Sequence, residues 1–245
     1  MTIVIGTAGW SIPSRDAAPF PTEGSALERY ATRFDGAEIN SSFYRPHRRS
    51  TWERWAESVP DHFRFSVKAP KAITHERKLA DCADPIAAHL REVSALGAKL
   101  AAHLVQLPPS LAFDEPVAER FFASLRAGTS AQVVCEPRHA SWFEPDAEAL
   151  LERHQVGRVA ADPARVPEAA IPGGWRGITY LRLHGSPIIY RSSYEDRALE
   201  AYAAAIRAAP GDAWCIFDNT LGGATSNALD LLEKLKGGTV AGATG

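Results

Sequence analysis

Val133-Val134-Cys135-Glu136-Pro137-Arg138-His139-Ala140-Ser141-Trp142 is an apolar, β-branched run that stops abruptly in Glu, Arg and His, with an aromatic close behind. Such a run reads as a buried parallel strand whose C-terminal end carries polar groups. The same pattern recurs in seven other stretches, at residues 2–7, 37–43, 63–68, 100–106, 156–162, 178–184 and 214–218. Between them, helical spacing or helix-start residues mark residues 25–34, 50–59, 85–96, 116–125, 145–154, 195–208 and 224–236. The return at 163–175 is rich in Pro and Gly and carries no helical pattern.

Eight strands alternating with helical returns predict an α/β fold with a parallel sheet and crossover helices. In a chain of 245 residues they fit a single closed (β/α)8 barrel of the TIM type, with an irregular return after strand six. A doubly wound sheet is disfavoured: Gly6-Thr7-Ala8-Gly9 lacks the third glycine and the acidic residue of a dinucleotide turn. No linker divides the chain, so one domain spans 1–236. The Gly/Ala-rich tail at 237–245 is expected to fray.

The 45% hydrophobic content supports a full core, and a formal charge of −2 gives no global pull toward nucleic acid or anionic membrane. Cys82, Cys135 and Cys215 share no metal-ligand spacing; the latter two sit in apolar runs, as buried thiols do. No apolar run approaches the roughly 20 residues of a membrane span. The chain opens directly into Ile3-Val4-Ile5-Gly6, without the features of a signal peptide. A soluble, cytoplasmic protein without membrane partners is expected.

In a barrel, chemistry sits at the C-terminal strand ends. Here those ends carry Thr7 and Trp10; Glu38, Asn40, Ser42 and Tyr44; Lys68 and His75; and Gln106. They continue with Glu136, Arg138 and His139; Asp162; Arg182 and His184; and Asp218 and Asn219. Strand alternation places Glu38 with Asn40, Tyr180 with Arg182 and His184, and Trp214 with Asp218 on common faces. A purely structural plug of ion pairs, such as Glu38 with Arg182, is the bland alternative. Each buried charge costs several kcal/mol unless well paired, so the whole ring reads better as a site.

Three chemistries compete for it. Glu136, Asp162, His184 and Asp218 are donor types that hold a divalent metal, though no HxH or HExxH pair occurs and no cofactor is implied. Lys68, Arg138 and Arg182, with Asn40, Gln106 and His184, could clamp a phosphate or carboxylate. Gly222-Gly223-Ala224-Thr225-Ser226 would add backbone N–H groups at a helix start. Glu38 or Glu136 could exchange protons with His184 or His139. The retaining-glycosidase layout, with Glu on strands four and seven, is disfavoured because those ends carry Gln106 and His184. Trp10, Tyr44, Trp142, Tyr190 and Tyr194 are rim aromatics that could stack on a ligand, and Arg45-Pro46-His47-Arg48-Arg49 is a local basic run.

Several of these motifs together resemble the YecE-like family, domain of unknown function seventy-two. They are Gly6-Thr7-Ala8-Gly9-Trp10, Glu38-Ile39-Asn40-Ser41-Ser42-Phe43-Tyr44, Phe65-Ser66-Val67-Lys68 and Ile73-Thr74-His75. Val105-Gln106-Leu107-Pro108-Pro109, Glu136–Trp142, Tyr180-Leu181-Arg182-Leu183-His184-Gly185 and Phe217-Asp218-Asn219-Thr220 complete the set. The resemblance spans nearly the whole chain and implies a TIM-type barrel. It implies no particular reaction; the family's similarity in shape to endonuclease IV and xylose isomerase is an analogy of fold only. Ala8 stands where family members often have Ser, and the loop after Trp10 lacks aromatics often found there.

The resulting expectation is an enzyme acting on a polar, anionic small molecule, with Glu136 and His184 as acid/base pair and Glu38 and Asp218 as further catalytic candidates. Lys68, Arg138 and Arg182 would bind the anion, with Asn40, Gln106 and Asn219 orienting it. Trp10, Tyr44, His75, His139, Trp142 and Asp162 are further binding candidates. Glu136→Gln would then abolish turnover with little loss of fold. A nucleic-acid-binding protein, with or without metal-assisted phosphodiester hydrolysis, and a non-catalytic ligand sensor or scaffold are the alternatives. Oligomeric state is left open.

Overall fold

The apolar runs become strands in the computed structural model, which describes residues 1–237. Strand β1 (Ile3–Thr7) leads to α1 (Ala26–Tyr30), β2 (Gly36–Ile39), α2 (Arg49–Glu57), β3 (Arg64–Lys68) and α3 (Ala83–Val93). There follow β4 (Leu100–Gln106), α4 (Glu115–Ala127), β5 (Gln132–Glu136) and α5 (Pro145–Arg153). Short strands β6 (Val156–Arg158), β7 (Ala160–Asp162) and β8 (Gly173–Gly174) precede β9 (Ile178–Leu183), α6 (Asp196–Arg207), β10 (Asp212–Phe217) and α7 (Ala224–Gly237). Beyond Gly237, the tail expected to fray lies outside the described residues.

Local chemistry sets the boundaries. Ser25 and Glu28 form a reciprocal capping box at the start of α1. The Asp114 carboxylate accepts from the Val117 amide at the start of α4, where Pro116 occupies the first turn. The second strand ends sooner than the sequence pattern predicts, and Ser41–Phe43 turns into a 3-10 helix. The Ser42 hydroxyl makes this turn, lying 3.0 Å from the Ile39 carbonyl and 2.7 Å from that of Lys68. The return after β7 holds only a 3-10 turn, Pro167–Ala170, and the two-residue β8, antiparallel to β6.

The sequence predicts one closed ring of strands, but the ladder falls into two sheets. One runs β1-β10-β9-β7, the other β2-β3-β4-β5-β6-β8, and every pairing except that of β8 is parallel. The predicted sixth strand is where they part: its first half pairs with β5 and its second with β9. At the other seam β1 and β2 share one bridge, Ala8 to Glu38, with the Gly9 amide donating to the Glu38 carbonyl at 2.8 Å. Below that bridge the buried Tyr30 hydroxyl stands in for the ladder. It accepts from the Thr7 amide at 2.8 Å and faces the Gly36 carbonyl at 3.3 Å. Backbones approach so closely here that a Cβ on Gly6 would lie 2.2 Å from the Gly36 oxygen. Tyr30→Phe should therefore cost about 1–3 kcal/mol, because a buried amide loses its acceptor. A urea midpoint equal to wild type would show that the seam does not depend on this hydroxyl.

The sheets enclose a shared apolar layer on the inward faces of the strands, short of their C-terminal ends: Val4, Tyr180, Trp214 and Ile216 from one, Leu104 and Val134 from the other. Outside, the alternate residues, Leu181, Leu183 and Cys215 among them, pack beneath the helices. All three cysteines are buried and free. No helix among the described residues is long and apolar enough to cross a membrane.

Candidate active site at the strand ends

Above the apolar layer the same inward faces turn polar. Arg182, near the end of β9, is the hub, and it is wholly buried. Its Nε and Nη2 grip the Glu38 carboxylate of β2 at 2.7–3.2 Å. Nη1 donates to Glu136 of β5 at 2.7 Å, and Nη2 also reaches Asp218 at 3.1 Å. The guanidinium fork thus ties one sheet to the other. Tyr180, two residues earlier on the same face, donates to Glu38 and stands 2.9 Å from the Ser66 hydroxyl of β3.

His184 lies between two carboxylates, with Nδ1 3.0 Å from Asp218 and Nε2 3.0 Å from Glu136. Only the imidazolium can donate to both. Burial opposes that charge, but the Glu136 carboxylate and the hydrogen bonds His184 donates to Asp218 and Glu136 outweigh it, so its pKa is raised. For Glu136 burial likewise favours the neutral acid, yet Arg182, His184 and Arg138 hold its carboxyl well below the usual range. Asp218 is lowered in the same way, against burial, by Arg182, His184 and Lys68. Arg138 closes the outer side of Glu136 at 2.9 Å and remains partly exposed.

Charge bookkeeping singles out Lys68. Three carboxylates, Glu38, Glu136 and Asp218, meet three cations, Arg182, Arg138 and the His184 imidazolium. Lys68, at the end of β3, is a fourth cation and forms no ion pair among the described residues. Its ammonium sits 4.4 Å above the Phe43 ring. Burial, and then the charge of Arg182, pull its pKa down to about 8, although the three carboxylates work the other way.

Glu136, Arg138 and His184 open on a cleft of about 450 Å³ that Ala161, Arg165 and Tyr190 complete. Gln106 sits beside Glu136 in the β4–β5 register. Asn40 brings its amide to 3.5 Å from Asp218 and leaves a buried carbonyl oxygen without a partner. His75 lies edge-on to Phe43, its pKa lowered by burial and then by Lys68 and Arg138. Tyr44, on the same rim, is 78% exposed.

Five sequence candidates are placed elsewhere. Trp142 is buried, donates to the Leu111 carbonyl and packs on Phe113 and Phe122, so its ring cannot stack on a ligand. Trp10 packs against Trp55 and Phe65 under α2. His139 caps the turn that follows it through the Ser141 amide. Asn219 is buried and donates to the Ser192 carbonyl and to Asn227, fixing the loop after β9 against α7. Asp162 points toward the helices and accepts from the Tyr202 hydroxyl of α6. That position also removes it from the expected metal quartet. Among the described residues no three His, Cys, Asp or Glu side chains converge as metal ligands would. Arg182 and Glu38 are likewise committed to one another, so neither is free as an anion clamp or an exposed acid. Ser66, Phe43, Ala161 and Arg165 belong to the site without having been singled out: a lone Ser, Phe or Ala carries no chemical signal in sequence.

These features define a class: an α/β protein of parallel strands whose C-terminal ends converge on a buried, nearly charge-balanced polar ring. The sequence profile of "Protein of unknown function DUF72" matches residues 4–243, and the chain belongs to that family. UPF0759 protein YecE of Escherichia coli (strain K12) is 32% identical over 176 residues, 69% of this chain and 62% of that protein. The chain thus spans less than two thirds of that relative's length. UPF0759 protein YunF of Bacillus subtilis (strain 168) is 26% identical over 270 residues, covering 95% of this chain and 94% of its own. The crystal structure of a DUF72 family protein from Thermotoga maritima MSB8 superposes with a TM-score of 0.79 at 22% identity, over 96% of this chain and 100% of that one. One from Enterococcus faecalis V583 gives 0.79 at 20% identity, over 96% of each chain. At these identities the likeness is one of fold.

Proposed function

We propose that this protein is an enzyme acting on a polar, anionic small molecule at the strand-end ring, by acid/base chemistry. In this reading the two sheets are halves of one eight-stranded barrel, and the ring lies at its C-terminal mouth. The observation that carries it is the unbalanced charge. A ring built only for stability would end neutral, whereas Lys68 leaves one buried positive charge over. A phosphate or carboxylate supplies the missing counter-charge. Arg138 and Lys68 hold that anion, and Asn40 and Gln106 meet its polar neighbours. Glu136 and His184, in contact and open to the cleft, exchange the proton.

Glu136→Gln tests the assignment, and the geometry revises what to expect of its stability. Glu136 faces three cations, so neutralising it should cost about 3 kcal/mol rather than little. The variant should still take up phosphate, since its ring is more positive, while failing to turn over any substrate the wild type accepts. Substrates come from a thermal-shift screen of phosphorylated and carboxylated metabolites. Turnover retained in the variant would remove Glu136 from the chemistry.

A second reading, single-stranded nucleic acid on the rim, is favoured by the 78% exposure of Tyr44 next to Arg45 and Arg48, both exposed. Binding of this kind must weaken steeply with salt; oligonucleotide binding that is absent at low salt eliminates it.

A further inference from the structure

We infer that Lys68 is a nucleophile that condenses with the carbonyl group of its anionic ligand, so that the substrate class is an aldehyde or ketone carrying a phosphate or carboxylate. This rests on the anion-binding reading of the ring and narrows it. A condensing amine needs a lone pair that no carboxylate monopolises, surroundings that disfavour its charge, and a proton donor within the same site. Lys68 meets the first condition, since it alone among the ring's cations lies outside the ion-pair network. The second follows from its burial, at 8% exposure, near the Arg182 guanidinium. Its pKa of about 8 keeps a usable fraction of free amine at neutral pH. The His184–Glu136 pair meets the third, since Lys68 lies within charge range of Glu136 and Asp218, the two carboxylates that hold His184.

The step balances without any further reactant. The amine nitrogen attacks the carbonyl carbon, a C–N bond forms, and the oxygen takes up a proton to give the carbinolamine. A second proton, passed through the His184–Glu136 pair, lets that hydroxyl leave as water. In sum, ammonium plus carbonyl becomes iminium plus water, with one positive charge on each side. The iminium therefore keeps the cation that the ligand's anionic group requires, and the ring's charge balance is the same before and after condensation. That continuity also explains why a lysine, which can form an imine, stands where an arginine would serve for binding alone.

Pyridoxal 5′-phosphate, an aldehyde bearing a phosphate, is a suitable probe, fixed by borohydride and mapped by peptide mass spectrometry on the whole chain. Lys68 should be labelled at least tenfold faster than Lys71, Lys78, Lys99, Lys234 or Lys236. Its rate should climb as pH rises toward 8, and inorganic phosphate should protect it. Lys68→Arg should lose the label yet keep the thermal shift given by phosphate. Labelling spread over the other lysines with Lys68 unmodified overturns the proposal. If phosphate still shifts the melting of such a protein, anion binding stands and only the nucleophile falls. If phosphate has no effect either, both fall together.

Discussion

Arg182→Met should lose most of the native stability, enough to prevent soluble expression or to bring the urea midpoint close to zero. Three carboxylates lean on this one guanidinium, at 2.7 Å from Glu38, 2.7 Å from Glu136 and 3.1 Å from Asp218. Removing one partner of a buried pair costs about 3–5 kcal/mol, and here three are stripped at once. Glu136 and Asp218 retain His184, but Glu38 would keep only the Tyr180 hydroxyl at a position with no solvent access. Domains of ordinary stability have about 5–15 kcal/mol in all, so the loss is of the order of the whole. The double variant Arg182→Met/Glu38→Leu separates an orphaned charge from lost packing, since it removes the worst of the uncompensated carboxylates. It should regain at least half of the lost stability. Arg182→Lys should not rescue, because one ammonium cannot span three carboxylates as the planar fork does. A single variant melting within about 1 kcal/mol of wild type would show that the ring is not held by its hub.

The same residue marks how far the sequence could be read. Periodicity located the strands, because a buried parallel strand must be apolar along its length and has few other ways to look. Alternation along strands two, seven and eight brought Glu38, Arg182, His184 and Asp218 to one face, and these do meet. Alternation also held the answer for Asp162. Val159 lies in the inner layer and Ala161 lines the cleft, so position 162 must point outward. The break of that strand between two sheets has no such signature. It depends on which neighbours Val156–Arg158 and Ala160–Asp162 find in space. Nor could sequence tell a charge that is paired from one that is spare. Lys68 and Arg182 look alike as cations at strand ends, and only the distances show that one holds the ring together while the other is left over. The two rim tryptophans, Trp10 and Trp142, misled for a related reason: a tryptophan near a strand end reads the same whether its ring meets a ligand or fills the space under a helix.

That difference between the two cations makes the opposite substitution informative. Lys68→Met should raise stability at pH 7 while abolishing the response to phosphate. An ammonium whose pKa falls from its ordinary value near 10.5 to about 8 is a charge the folded state disfavours, by about 3 kcal/mol below pH 8. In the window from about 8 to 10.5 the unfolded chain binds more protons than the folded one, so wild-type stability should rise with pH there. Methionine has no charge to desolvate and follows the same path over the Phe43 ring. Its advantage should be largest near neutrality, at about 1–3 kcal/mol once the lost cation–π contact is allowed for, and should vanish above the window. A purely structural lysine predicts the reverse, a variant less stable at pH 7 with no pH-dependent gap. Stability given up at one buried side chain, and recovered when that side chain is replaced, is what a residue kept for its chemistry leaves behind. If Lys68→Met proves both more stable and blind to phosphate, the spare charge is the functional one, and the ion pairs around it are the frame that keeps it in place.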